Sequence, residues 1–402
     1  MYERKLIALA VAGALGVPAA AFAQQSNVQI YGRLYPEFTV AKTTGATPAG
    51  ASSSTLGATP TGLDLKSRNS VDASNSRIGF RGTESLGGGL NAIWQIESTV
   101  PIDQGGGLLA TRDSFVGLRG GFGTVRLGNM TTVYKELGDP LGILGLSSGN
   151  FVSMSNIISS RMPFGTNSAG SFHLRRANSV QYDTPDFGGF QLHVMYGPDE
   201  IRTGNLDADL WSGGLEYKRG PIEASIAHEI HTDFFAGSKG VGSSSPVANP
   251  TTGAGSVHSK DKSTRATVLY SVGGAKIQAN ASTIEYTESG GAAGKFQDFK
   301  NTRWSLTWQQ SWGGPLRTTV AYGSSSAGSC SLVGGAGCST SGLAGNMLVL
   351  GGDYSFSKRT ALFVLYARIN NGSASQYRNL ENGTPAPGAD IVQYAIGIRH
   401  NL

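Results

Sequence analysis

The sequence predicts an all-β protein, a 16-stranded antiparallel β-barrel that crosses a membrane. Three observations carry this. The composition combines 58 glycines with 16 Phe, 14 Tyr and 5 Trp in 402 residues, which suits many strands and many tight turns. Short and long connections alternate strictly along the chain. Strand-like segments alternate apolar with polar residues at period two.

The first element is a leader. Arg4 and Lys5 precede an apolar run from Leu6 to Val17, and Ala21-Phe22-Ala23 supplies the small-x-small pattern of a cleavage site. Residues 1–23 are therefore expected to be a signal peptide. Residues 24–402 are expected to form the barrel. No later run reaches the ~18 apolar residues of a spanning helix. The formal charge of +5 falls to +4 once Arg4, Lys5 and Glu3 are set aside. So mild and dispersed an excess does not indicate a nucleic-acid partner, whose binders carry clustered basic patches.

Seven breaks are short and rich in Gly, Pro and Asp: TESLGGG, RGGFG, DTPDFGG, KRGP, SVGGA, WGGP and SFSKR. Each can close an antiparallel hairpin. Eight longer polar stretches lie between them, at 41–74, 99–111, 130–175, 198–209, 231–262, 287–300, 324–344 and 370–390. Seven and eight connections make fifteen, hence sixteen strands, with all long loops on one side. Outer-membrane barrels sort their loops this way.

The strands agree. In NAIWQIES and the Leu90 before it, Leu90, Ala92, Trp94 and Ile96 share one face, while Asn91, Gln95 and Glu97 share the other. In the closing QYAIGIRHNL, Tyr394, Ile396, Ile398 and Leu402 oppose Gln393, Gly397, Arg399 and Asn401. A single such strand could also cover a soluble sandwich. Sixteen with sorted loops place lipid on the apolar side and water on the polar side, and lipid requires the sheet to close. In SRIGFRG, Ile78 and Phe80 then face acyl chains, whereas Arg77 and Arg81 face a wet lumen. Tyr182, Phe187, Phe190, Tyr217, Trp312, Tyr354 and Phe356 fall near strand ends, as an interfacial girdle requires.

The stretches SNVQIYGRLYPEF, SRIGFRGTESLGGGLNAIWQIES, RDSFVGLRGGFGTVRLG, ANSVQYDTPDFGGFQLHVMYGP and VQYAIGIRHNL resemble the general porins of β-proteobacteria, from the first strand to the last. The resemblance implies a trimeric channel in the outer membrane of a Gram-negative bacterium. Its partners would be outer-membrane lipid and lipopolysaccharide, the barrel-assembly machinery, and small hydrophilic solutes and anions. The third long loop would fold inward to narrow the pore, with a tendency toward anions, and no cofactor is implied. The chain departs from the pattern at Leu402, where such porins end in Phe read during assembly, so insertion is expected to be less efficient. Asn129 stands where an arginine is expected.

A 16-stranded barrel leaves an aqueous channel, in which clustered charges select ions. Parity turns Tyr31, Arg33, Tyr35 and Glu37 inward. Arg77 is inward too, seven residues before Glu84 of the turn and thus roughly 16 Å above it. Facing lipid there it would cost about 2–4 kcal/mol. Arg33 and Arg77 are therefore the first pore candidates. The resemblance also points to Arg112 and Arg176, but counting from Val116 and Val180 turns both toward lipid. Either a β-bulge shifts the count, or the residues lie beyond the paired region, or Arg175 does the work of Arg176. In the loop 130–175, Leu141, Ile143, Leu144, Phe151, Ile157 and Phe164 need burial, and its acids Glu136 and Asp139 are the candidates to face the arginine wall.

Cys330 and Cys338 are expected to close a small disulfide in an oxidising compartment. His228, Glu229 and His231 do not make the HExxH zinc pattern, since three-residue spacing on a strand points the histidines to opposite faces. GLRGGFG lacks a βαβ context and reads as hairpin closure. The function expected is a passive diffusion channel rather than an enzyme. A surface-exposed β-structured adhesin is the alternative, distinguished by whether the protein conducts in a bilayer.

Overall fold

In the computed structural model, residues 27–402 are described except 52–53, 74, 147–149, 160–161, 165–170, 201–205, 234–246, 250–256 and 380–382. The expected leader, residues 1–23, lies outside the described residues.

One antiparallel sheet of nineteen ladder segments closes on itself. Three pairs of segments are single strands with a local break, which leaves sixteen. The strands are β1 (Asn27–Leu34 and Glu37–Thr44), β2 (Arg68–Asp72 and Arg77–Gly87), β3 (Leu90–Thr99), β4 (Ser114–Gly120), β5 (Gly123–Thr131), β6 (Arg175–Asp183), β7 (Phe190–Gly197) and β8 (Asp209–Arg219). They continue as β9 (Ile222–Thr232), β10 (His258–Val272), β11 (Ala275–Ser289), β12 (Phe296–Ser311), β13 (Leu316–Ser325 and Ser329–Leu332), β14 (Gly345–Ser355), β15 (Thr360–Asn371) and β16 (Asp390–Asn401). Each pairs with its sequence neighbour, and β16 returns to β1 through Arg33↔Asn401 and the ladder from Asp390↔Thr44 to Gly397↔Glu37. Closure leaves no unpaired edge, the condition lipid imposes.

Pro36, which has no N–H to give a ladder, interrupts β1. The neighbouring break in β2 compensates, because Ser76 Oγ accepts the Tyr35 N–H at 2.9 Å. All seven predicted short connections join hairpins. The long loops lie at the other end, but β10, β11 and β12 run 15, 15 and 16 residues and extend into stretches expected to be loops. The apolar alternation ends there, yet backbone pairing continues above the lipid without it: Lys260 and Lys262 stay on the outward face.

The outward face is apolar. Ile30 and Val116 are 62% and 66% exposed, with Leu127, Ile226, Leu306, Val364 and Ile396 also open to the surroundings. At the short-turn end, aromatic rings meet in pairs: Phe190 with Tyr217 at 4.7 Å, Trp308 with Trp312 at 6.2 Å, Tyr354 with Phe356 at 5.5 Å. A second set not foreseen from the sequence lies nearer the long loops: Tyr196 with Trp211, Trp304 with Tyr322, and Tyr366 with Tyr394.

The third long loop, between β5 and β6, enters the barrel. It carries a helix, Val133–Gly138, a 3₁₀ turn, Ile143–Gly145, and a helical turn, Ser155–Ile158. Leu141, Ile143, Leu144, Phe151, Ile157 and Phe164 are all buried. Ile143, Leu144, Phe151 and Ile157 pack with Met347, Val349, Phe363, Leu365 and Ile369 from β14 and β15. Those strands are apolar on both faces because one meets lipid and the other meets the loop.

The Cys330–Cys338 disulfide is formed and ties the last segment of β13 to the loop that follows, with Cα atoms 5.7 Å apart. His228 is exposed and bonds Thr264 Oγ1, whereas His231 is buried, bonded to Glu229 and stacked on Phe172 at 4.5 Å.

Candidate functional site

Arg33 and Arg77 are direct cross-strand partners on the inward face of β1 and β2. Like charges placed so are destabilising unless neighbours share the load. Arg33 Nε donates to Asn401 Oδ1 at 3.0 Å, and Arg77 Nε lies 3.6 Å from Glu97 Oε2 on β3. Glu97 also accepts the Tyr31 hydroxyl at 3.1 Å and the Arg112 guanidinium. The Tyr31 ring lies over Gly79, the residue directly opposite, where any Cβ would collide with it. One carboxylate thus gathers two arginines and a tyrosine.

Arg112 lies before the first ladder residue of β4, Ser114, so the strand count does not govern it. Its N–H bonds the Glu97 carbonyl at 3.0 Å, and its buried side chain turns inward to Glu97. Asn129, in place of the expected arginine, donates to the Arg112 carbonyl at 3.0 Å.

For Arg176 the bulge is present. The β5–β6 register shifts between Gly128 and Met130, and Asn178 takes φ = 54°. Arg176 then donates to the carbonyls of Pro198 (2.7 Å) and Ala208 (2.9 Å) at the rim, far from the group around Glu97 in the ladder. Arg175 reaches Asp113 instead, its Nε 2.8 Å from Oδ1, an oxygen that also receives the Thr131 N–H at 2.7 Å.

The two loop acids part company. Glu136 is open to the lumen and, with Arg126, Asp113 and Gln95, lines a cavity of about 280 Å³. Asp139, expected to face the same arginine wall, is instead held on the opposite side by Arg265 of β10 and His173, each at 2.9 Å. Burial pushes its carboxyl up, but Arg265 and His173 overcome this and hold it well below the usual carboxylate range.

Further inward arginines were not among the pore candidates although parity marks them: Arg81, Arg119 and Arg126 on β2, β4 and β5, and Arg265, Arg303, Arg317 and Arg399 on β10, β12, β13 and β16. The first group lines open space. Arg81 and Arg119 border a cavity of about 570 Å³. The second group grips the loop backbone. Arg265 donates to the Gly138 carbonyl, Arg317 (2.8 Å) and Arg399 to that of Leu144, and Arg303 to that of Ile157 at 3.4 Å. Gln278 and Gln309 accept the Leu141 and Leu144 N–H groups at 2.8 and 2.6 Å. Backbone groups brought inside a barrel need such partners.

A family model described as Gram-negative porin matches residues 8–374. The chain is 32% identical to the major outer membrane protein P.IB of Neisseria lactamica over 166 residues, 41% of this chain and 45% of that one. It is also 32% identical to the P.IB protein of Neisseria meningitidis serogroup B over 223 residues, 54% and 56% of the two chains. It therefore spans about half the length of the relatives it matches. Among solved structures, the anion-selective porin from Comamonas acidovorans is similar with a TM-score of 0.66 at 22% identity, covering 94% of this chain and 100% of that one. The Salmonella typhi OmpF complex with daunomycin gives 0.56 at 15%, covering 93% and 97%. At such identities the structural likeness shows the fold.

Proposed function

Because this chain belongs to the Gram-negative porin family, an outer-membrane family of channels rather than enzymes, we propose that it forms a passive, water-filled channel for small hydrophilic solutes, with anion preference. One observation carries the reading: inside a closed barrel with an apolar exterior, the open cavities along β2–β5 are bordered by Arg81, Arg119 and Arg126, with Arg33 and Arg77 on the same wall. Lumen charges of one sign raise the local concentration of the opposite ion. Glu136 across the narrow cavity supplies the other pole of a transverse field. The homotrimer, the lipopolysaccharide contacts and assembly by the barrel-insertion machinery belong to the same proposal, supported by the family and by the solved porin neighbours.

Purified protein added to a planar bilayer tests it. Stepwise conductance with an anion-directed reversal potential in a potassium chloride gradient is expected. A protein that inserts without conducting would leave the proposal without foundation and return the adhesin reading.

A further inference from the structure

Two apolar side chains break the polar face of the wet wall. On β3, Ile93 shares the inward parity of Asn91 and Gln95, and on β4 Phe115 shares that of Arg119. An apolar group presented to water inside a channel gains nothing from lipid, so it calls for another account. Phe115 packs on one side against the loop cluster around Met130 and Tyr134, which explains part of its burial. Ile93 belongs to neither buried cluster of the described residues. Both border the cavity of about 570 Å³, and Phe115 also borders the narrower one of about 280 Å³, so it stands where the two meet.

Guanidinium groups flank both. In one cross-strand row, Arg81, Gln95 and Phe115 follow one another on β2, β3 and β4; in the next, Ile93, Gly117 and Arg126 follow on β3, β4 and β5. Arginine and apolar group are thus roughly 10 Å apart across two strands in each row. The side-chain-free Gly117 lets the Arg126 stem lie beside it, and the Arg126 guanidinium carbon sits 5.3 Å from the Phe115 ring centroid. Arg126 is paired with Asp183 at 2.8 Å. Among the described residues, Arg81 bonds only the neutral Gln29, at 2.9 Å, besides lying over the Tyr31 ring. Among the described residues, neither Arg81 nor Arg119 has a carboxylate partner.

We propose that Ile93 and Phe115, with Arg81, Arg119 and Arg126, form a subsite for organic anions that carry an apolar body, aromatic carboxylates above all. The carboxylate meets the unneutralised guanidinium groups, and the ring or branched chain lies on Phe115 and Ile93. Small inorganic anions use only the charge. This inference rests on the channel reading and gives it a solute class.

The test is block of chloride current through single channels by benzoate and by acetate, which carry the same charge and differ in the ring. Half-block by benzoate is expected at a concentration about fivefold lower than for acetate, the scale of one aromatic contact. Phe115→Leu, which keeps packing against the loop but removes the ring, and Ile93→Asn should each bring the two concentrations toward equality. Arg119→Gln should raise both. Circular dichroism checks that every variant keeps its barrel. Equal block in the unsubstituted protein, or a benzoate advantage unchanged in Phe115→Leu and Ile93→Asn, overturns the subsite alone. Absence of any conductance overturns the channel reading and the subsite together.

Discussion

The wall from β1 to β5 and the wall from β12 to β16 share the same alternation and the same closure, yet their inward faces live in different media. On the first, Arg81, Arg119 and Arg126 border space that water can fill, with Arg33 and Arg77 paired on the same wall. On the second, Met347, Val349, Phe363 and Leu365 are sealed under the third loop, and Arg303, Arg317 and Arg399 point their donors at its carbonyls. Parity says which side of a wall a residue occupies. It does not say whether that side is wet, and an inward arginine borders open space on one wall and rivets the loop on the other.

Substitutions should separate the two roles. The largest effect is expected from Arg317→Gln with Arg399→Gln. Both residues serve Asp353, which is buried, and both hold the Leu144 carbonyl. Leaving that carboxylate unpaired should cost about 3 kcal/mol or more, seen as a lower denaturant midpoint, and the freed loop should make single-channel current noisy. A quiet channel with an unaltered midpoint would erase the distinction between the walls. Next, Arg33→Gln and Arg77→Gln should each lower the anion-to-cation permeability ratio by up to about tenfold, since one charge ~6 Å away in water changes each ion about threefold in opposite senses, while leaving the loop in place; reversal potentials in a salt gradient measure this. Glu136→Gln should move the same potential the other way by a similar or smaller factor.

Asp139→Asn should shift selectivity less than Glu136→Gln, because its carboxylate is enclosed against Arg265 and His173 rather than open to the lumen, although both acids lie on one short stretch of loop. The smallest effect is assigned to Arg176→Gln. Its guanidinium serves rim carbonyls, so the reversal potential should stay within error, whereas Arg175→Gln should shift it. A larger response from Arg176 than from Arg175 would mean that the bulge at Gly128/Met130 has been given the wrong consequence.

Much of this was legible before any coordinates. Sorted connections supplied sixteen strands and their order, since hairpin chemistry at seven Gly- and Pro-rich breaks is local. Period two placed Ile30, Ile396 and Tyr394 outward and Arg33, Arg77 and Arg399 inward. The burial of Leu141, Phe151 and Phe164 followed from the loop's apolar content. What escaped depended on non-local facts. Which wall the loop covers is decided by packing between segments some 200 residues apart, such as Leu144 against Leu365, and no periodicity reports it. The parity conflict at Arg112 and Arg176 could be stated but not resolved, because a strand's start and a bulge are set by partner strands. The second aromatic set was missed because Trp211, Trp304 and Tyr394 sit inside their strands rather than next to turn signals.

The third loop is gripped largely through its peptide groups, by guanidinium and amide side chains that belong to the barrel. Its amino acids are therefore freer to change than its path, provided they stay apolar where they meet the wall. Natural variation should accordingly run faster at loop positions such as Leu141 and Leu144 than at Arg265, Gln278, Gln309 and Arg317, and a foreign loop of equal length and apolar content, grafted between Thr131 and Arg175, should settle along the same track. The aperture is inherited from the staves rather than from the plug.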